Sequence, residues 1–210
     1  MLTFYDCATA PSPRRARMAI AEKGLDVKRV EINLAEGEQL GEAFRKINPS
    51  CTVPVLQLED GTTFTENAGI AAYLEAIAPE PPLLGATPEE KGLVASYNAW
   101  IEFDGLWAIA EVLRNSSPRM ANRALTGPDN YDQIPALAER GLQRLQRFLE
   151  RFNAHIEGRQ FVVGDRFSIA DITAFIAVEF VKWVKVDPDA GRPAIAKWRA
   201  SVAERPSAQL

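Results

Sequence analysis

The stretch Cys51-Thr52-Val53-Pro54-Val55-Leu56, together with the hairpin and helix start after it, leaves this chain few choices of fold. Val53 to Leu58 reads as a short apolar strand, Asp60-Gly61 as a two-residue turn that favours a tight hairpin, and Thr62 to Phe64 as the returning strand. An apolar-periodic run, Ala68 to Ala78, opens at Glu66-Asn67 and reads as a helix. Pro54 has no N–H to give to a ladder, so it belongs where a strand begins, and Val53-Pro54 is a candidate cis bond. A cis bond would turn the chain sharply and leave the N–H and C=O of Val53 open to an extended peptide added as a strand. The helix start at Glu66-Asn67 offers backbone N–H groups and a positive dipole end to a carboxylate. An open strand edge beside an anion site suits a short, acidic peptide.

Upstream, Leu2 to Tyr5 is a strand, and Pro11-Ser12-Pro13 starts a helix that runs to about Lys23 and is capped by Gly24. Val27 to Ile32 is the next strand, so strand, helix and strand read as a crossover with parallel strands. Glu38 to Ile47 reads as a second helix. Pro79-Glu80-Pro81-Pro82 then stops the third helix, and residues 80–87 form a linker. From Pro88 onward the periodicity is helical throughout. Pro88 to Asn115 reads as one long helix capped by Thr87, and Tyr131 to His155 as another, with Ile134, Leu137, Leu145, Phe148 and Phe152 inward. Ser116 to Asn130 reads as loop, Ser168 to Val184 as a buried central helix, and Pro193 to Glu204 as the last helix. The organisation is therefore a mixed α+β domain over residues 1–79 and an all-α domain over 88–210.

Charge and cysteine usage narrow the classes of function. A net charge of −4 gives no footprint for nucleic acid. No stretch is apolar for the ~20 residues that a membrane helix needs, and the start of the chain lacks the pattern of a signal peptide. Cys7 and Cys51 make no disulfide framework, so a reducing cytoplasm is the expected compartment. The single histidine, His155, excludes a multi-histidine metal site, and no metal is expected; near the end of a polar helix, it reads as a solvated or helix-terminal charge.

The ordered set Asn48-Pro49, Val53-Pro54, Asp60-Gly61 and Glu66-Asn67 resembles the glutathione-binding half of the cytosolic glutathione S-transferases. The β-α-β-α-β-β-α order resembles the thioredoxin-like fold of that half, and Val163-Gly164-Asp165-Arg166-Phe167-Ser168 resembles the family's helical second domain. The resemblance implies a bacterial-type, homodimeric transferase that takes glutathione as cosubstrate and a small hydrophobic electrophile as its second substrate. It implies that Val53, beside Pro54, pairs its backbone with the cysteinyl part of glutathione. Glu66 would hold the γ-glutamyl ammonium and Asn67, in place of the family's Ser, its carboxylate. Gln39 and Lys46 are candidates for the glycyl end, and Thr52 stands where a Lys or Gln often makes a further contact. Asp104 would reach the γ-glutamyl group of the neighbouring subunit.

A thiol of pKa roughly 8.5 is a poor nucleophile at neutral pH, so such an enzyme must stabilise the thiolate. Many relatives carry Ser or Cys before a proline, with Arg-x-Arg further on. If Arg15-Ala16-Arg17 is that pattern, the activating position is Ala10. Three readings remain open: Ser12 is the donor, Thr9 is, or the helix end with Arg14 or Arg15 acts without a side-chain hydroxyl. Ser12 also reads as a plain helix cap, and Cys7 as a small apolar-like residue just past a strand. Pro11, Tyr97, Trp100 and Trp107 are the expected electrophile pocket between the domains, the last three sharing one helical face with Asp104. Ser168 and Asp171 read as a capping box. The expected reaction is attack of the activated thiolate on an alkyl or aryl electrophile. The alternatives are a glutathione-binding protein of the same fold with little turnover, kept open by Ala10, and a glutathione-dependent disulfide reductase or peroxidase, for which Cys7 would be the marker.

Overall fold

The first helix begins and ends where its prolines and glycine require. A computed structural model describes all residues from Met1 to Leu210. Strand β1 (Thr3–Asp6) leads into helix α1 (Pro11–Glu22), whose start carries proline at N1. Gly24 closes α1 in a left-handed conformation (φ 63°), with the N–H of Leu25 bonded to Ile20 O and that of Gly24 to Ala21 O. Strand β2 (Lys28–Glu31) pairs with β1 in parallel, Asp6 opposite Glu31. The expected second helix is two pieces, a 3-10 turn at Glu38–Leu40 and helix α2 (Glu42–Arg45). Gly41 between them is extended (φ −69°, ψ 155°) and breaks the run.

The Val53-Pro54 peptide is cis, and strand β3 (Val55–Gln57) comes directly after it, antiparallel to β1. Strand β4 (Thr63–Phe64) returns beside β3, giving the sheet order β2-β1-β3-β4. The hairpin is one residue looser than expected. Leu58 N–H donates to Thr62 O, so Glu59, Asp60 and Gly61 form the loop, with Gly61 at φ 90°. Helix α3 (Asn67–Ile77) completes the order. Ile32, Phe44 and Val55 form a buried cluster on this sheet, with Tyr5, Val30 and Val53 packed against it.

The chain divides into two units: Met1–Pro82 with Thr126–Asp129 and Leu210, and Leu83–Leu125 with Asn130–Gln209. The second unit is helical. Helix α4 (Pro88–Trp100) is capped as expected, Thr87 Oγ1 accepting from Glu90 N–H at 3.2 Å. The long helix is not regular, however. Ile101–Leu106 is a π-helical turn, and α5 (Trp107–Ser116) resumes beyond it. Gly105 in that turn lies against the Phe148 ring, 2.9 Å from where a Cβ would sit. A π turn shifts the phase of everything after it, which is why Trp107 faces solvent at 54% exposure rather than sharing a face with Tyr97 and Trp100.

Helix α6 (Pro135–Ile156) begins later than expected. Tyr131 is held in a bridge with Arg123, and Ile134, exposed at 53%, is the N-cap rather than an inward residue. Leu145, Phe148, Leu149, Phe152 and Ile156 form the buried face of α6. At Gly141 the helix approaches α5 so closely that a Cβ would lie 2.9 Å from Ala108 O. Helix α7 (Ile169–Phe180) is buried from Ile169 through Val178 and is the core of this unit, with a 3-10 turn at Val181–Val184 beyond it. Helix α8 (Pro193–Ala203) ends the set. No helix is long and apolar enough to cross a membrane.

Candidate functional site

Two helix N-termini meet in the first unit. Ser12 is N2 of α1 and Asn67 is N1 of α3, and Asn67 Nδ2 donates to Ser12 Oγ at 2.9 Å. Neither residue is a helix cap, which corrects the plain reading of Ser12. Ala10 is the N-cap of α1, with extended backbone and no capping side chain, and Glu66 is the N-cap of α3, likewise without a capping bond. The chemistry of the α1 end comes from its prolines. Pro11 and Pro13 have no N–H, Arg14 N–H reaches Ala10 O at 3.4 Å, and Ala10 N–H reaches Cys7 O at 3.0 Å. Ser12 therefore holds the one backbone N–H left at this terminus. Its Oγ accepts from Asn67, so its own hydroxyl hydrogen is available to an incoming anion.

Thr9 is exposed, with Oγ1 3.5 Å from the Sγ of buried Cys7. Arg15 and Arg17 are buried on α1. Arg17 pairs with the wholly buried Asp6, Nη1 to Oδ2 at 2.7 Å, and donates to Ala8 O. It is part of the scaffold of the loop.

At α3 the first helical bond runs from Ile70 N–H to Glu66 O, so the N–H groups of Asn67, Ala68 and Gly69 are open, as an anion site requires. Glu66 is exposed and its carboxylate has no partner in the chain. Asn67 is buried, and its Oδ1 has no hydrogen-bond partner. The loop before Pro54 is shaped by Asn48. Its Nδ2 donates to Thr52 O at 2.8 Å and to Thr52 Oγ1 at 3.1 Å, and its Oδ1 accepts from Ser50 N–H. Thr52 is thus tied inward. Val53 turns its side chain into the apolar cluster while its N–H and C=O pair with nothing in the chain. The last β1–β3 pair is Tyr5 with Val55; beyond it the one chain passes through Asp6 into the Cys7–Ala10 loop and the other back through the cis bond to Val53. Gln39 lies in the Glu38–Leu40 turn with Oε1 buried and unpaired, and Lys46 pairs with Glu42.

In the helical unit, a recess of about 270 Å³ is lined by Ser96, Tyr97, Trp100, Arg151 and His155. It brings together two of the expected aromatic residues and leaves Trp107 out. His155 is no solvated charge. Its ring lies 4.4 Å from that of Tyr97, and Nε2 is 2.8 Å from Val162 O. A carbonyl only accepts, so Nε2 carries the hydrogen, and burial first, with Arg159 nearby, holds the imidazole below the usual histidine range. Asp104, which the resemblance assigns to the neighbouring subunit's glutathione, has two partners in its own chain: Arg144 at 3.6 Å and Arg151 at 3.5 Å.

The patterns of two domains match this chain: "Glutathione S-transferase, N-terminal domain" over residues 9–77 and "Glutathione S-transferase, C-terminal domain" over 119–206. Glutathione S-transferase 2 of Saccharomyces cerevisiae is 33% identical over 211 residues, covering 98% of this chain and 87% of that protein. The crystal structure of Gtt2 from the same yeast superposes with a TM-score of 0.89 at 32% identity, covering 99% of this chain and 98% of that one. A glutathione S-transferase from Methylobacillus flagellatus with glutathione bound has a TM-score of 0.83 at 25% identity, covering 100% of this chain and 98% of that one. The chain belongs to the glutathione S-transferase family, and its two units have that family's fold.

Proposed function

We propose that this protein transfers glutathione to a small apolar electrophile and that Ser12, not the position of Ala10, stabilises the thiolate. The observation that carries the assignment is the Asn67 Nδ2 to Ser12 Oγ bond of 2.9 Å. It fixes the serine hydroxyl and leaves its hydrogen to donate. A thiolate beside Ser12 would receive that O–H and the Ser12 N–H, at the positive end of α1. Stabilising the anion lowers the thiol pKa and raises the fraction of nucleophile at neutral pH. Binding the tripeptide also turns a bimolecular attack into a positioned one. The sulfur attacks the electrophilic carbon as the leaving group departs with the bonding pair, and the thiol proton has already gone to solvent.

The tripeptide itself is read onto the first unit. Val53 N–H and C=O suit its cysteinyl backbone, the open N–H groups of α3 suit the γ-glutamyl carboxylate, and unpaired Glu66 suits its ammonium. Gln39, whose side-chain amide can donate a hydrogen bond, suits the glycyl end. Tyr97 and Trp100, which share a recess in the helical unit, suit an apolar electrophile, whereas Trp107 lies outside that recess. Detoxification in a cytoplasm rich in glutathione fits this chemistry.

Calorimetric titration with glutathione and a conjugation assay with an aryl halide test the reading. Binding with conjugation supports it, and binding without conjugation returns the protein to the carrier alternative. Glu66→Gln is expected to weaken glutathione binding about tenfold, the order of one charge-assisted bond, and to leave the ionisation of the bound thiol unchanged. An unaltered dissociation constant would remove Glu66 from the site.

We also propose a homodimer. Phe103, 67% exposed, and Trp107, 54% exposed, lie four residues apart on one flank of the long helix and form apolar surface suited to a second copy. Sedimentation that finds only monomer at micromolar concentration would contradict this. Asp104, with two arginines in its own chain, is expected to leave glutathione affinity unaltered when changed to alanine, a weaker role than the neighbouring-subunit contact implied by the resemblance.

A further inference from the structure

The loop that carries Cys7 to Ala10 into Ser12 is exposed at Ala8 and Thr9, yet both polar groups of Ala8 are tied to charged side chains. Ala8 N–H donates to Glu31 Oε1 at 2.7 Å, and Ala8 O accepts from Arg17 Nη2 at 3.3 Å. Behind them, Asp6 Oδ2 takes both Arg17 Nη1 and Arg29 Nε, each at 2.7 Å, and Arg29 Nη2 donates to Glu31 Oε2 at 3.0 Å. Two acids and two arginines thus close a ring through the Ala8 backbone. The parallel register of β1 and β2 makes this possible, since it sets Asp6 opposite Glu31 and keeps Arg29 and Glu31 on one face of the strand. The ring carries no net charge, so it adds little field at the thiol site; what it supplies is position.

We propose that Glu31 is a positioning residue for thiol activation, acting through the Ala8 peptide to hold the loop that sets Ser12. This rests on the reading that Ser12 donates to the thiolate. Ala10 gives α1 no capping side chain, and the prolines at 11 and 13 remove two N–H groups. Asn67 holds the Ser12 hydroxyl, while the backbone that carries Ser12 follows the loop, which Glu31 and Arg17 hold at Ala8. A hydrogen bond to a developing anion loses its effect when the donor moves by a fraction of an ångström to an ångström.

Glu31 is the residue to change, because its side chain is half exposed, whereas an Arg17 variant would take from buried Asp6 one of its two arginines. The thiolate absorbance of glutathione bound to the whole protein is titrated in wild type, Glu31→Ala and Glu31→Gln, together with kcat and the glutathione dissociation constant. Glu31→Ala is expected to raise the bound thiol pKa by about one unit and lower kcat about tenfold, with the dissociation constant within about twofold of wild type. Glu31→Gln keeps an oxygen for Ala8 N–H and is expected to restore both. Unchanged pKa and kcat in Glu31→Ala overturn the proposal. So does an equal loss in both variants, which would make the charge, not the hold on Ala8, the cause. A wild type that leaves the bound thiol at its solution pKa instead sinks the Ser12 reading itself.

Discussion

Changing Ser12 to alanine lowers kcat/KM for conjugation about a hundredfold, the size of effect seen when one preorganised donor to an anion is removed. Glutathione still binds within about twofold, because the Val53 edge, the α3 N-terminus and Glu66 are untouched. The bound thiol pKa moves up toward the value in water, since the lost hydroxyl is a donor to the charged form only. Asn67 is left with an Nδ2 that has lost its acceptor, which adds a modest stability cost of about 1 kcal/mol. Thr9→Ala, by contrast, keeps activity within about twofold, since Thr9 faces solvent and meets only Cys7 Sγ. Steady-state kinetics on both variants decide the matter. Loss in Thr9→Ala with retention in Ser12→Ala would exchange their roles.

The largest effect on stability is expected at Asp171, far from this chemistry. It is wholly buried at the start of α7, and its carboxylate gathers three donors: Val162 N–H at 2.8 Å, Ser168 N–H at 3.0 Å and Ser168 Oγ–H at 3.0 Å. This is the capping box that the spacing of Ser168 and Asp171 announces, extended to Val162. Alanine leaves two backbone N–H groups buried without acceptors, at about 1–3 kcal/mol each, so Asp171→Ala is expected to lose about 4 kcal/mol. That is a large share of the stability of an ordinary domain, and denaturant unfolding reads it directly.

The same residue gives a pH signature. Burial, outweighing the hydrogen bonds that the carboxylate receives, pushes the Asp171 carboxyl up from 3.8 to about 6. The folded state therefore holds the proton more tightly than the unfolded chain. The contribution is fully present below pH 3.8 and is lost as pH rises through 6, a fall of about 3 kcal/mol. Other carboxylates titrate in the same range, so the measured quantity is the difference between wild type and Asp171→Asn. That difference is expected to be larger at pH 4 than at pH 7. A difference independent of pH would contradict it.

The fold was legible where local chemistry decides it. Pro54, Gly24, Thr87 and Ser168 each mark a boundary by a property of their own backbone or side chain, and the structure places a strand start, a helix end or a cap at each. It was illegible where distant residues decide. The π turn at Ile101–Leu106 accompanies the close seating of Phe148 on Gly105, a contact across more than forty residues, and it moved Trp107 out of the expected face. The late start of α6 likewise reflects the bridge of Tyr131 to Arg123. At the site, the backbone features of Val53 and the α3 terminus could be read from spacing alone. The bond from Asn67 to Ser12 could not, because it joins residues 55 positions apart. Nor could the ring around Ala8, whose members meet through the strand register and the packing of α1. A signal did exist: an acid at the end of β1 with arginines on the next helix and strand.

The most direct test is a pH titration of the thiolate absorbance of glutathione bound to wild type and to Ser12→Ala. Ionisation near or below neutral pH is expected in the wild type, with a shift toward roughly 8.5, the value of a free thiol, in the variant. Glutathione that binds the wild type and ionises as it does in water would contradict it, and would leave a protein of this fold that holds glutathione without activating it.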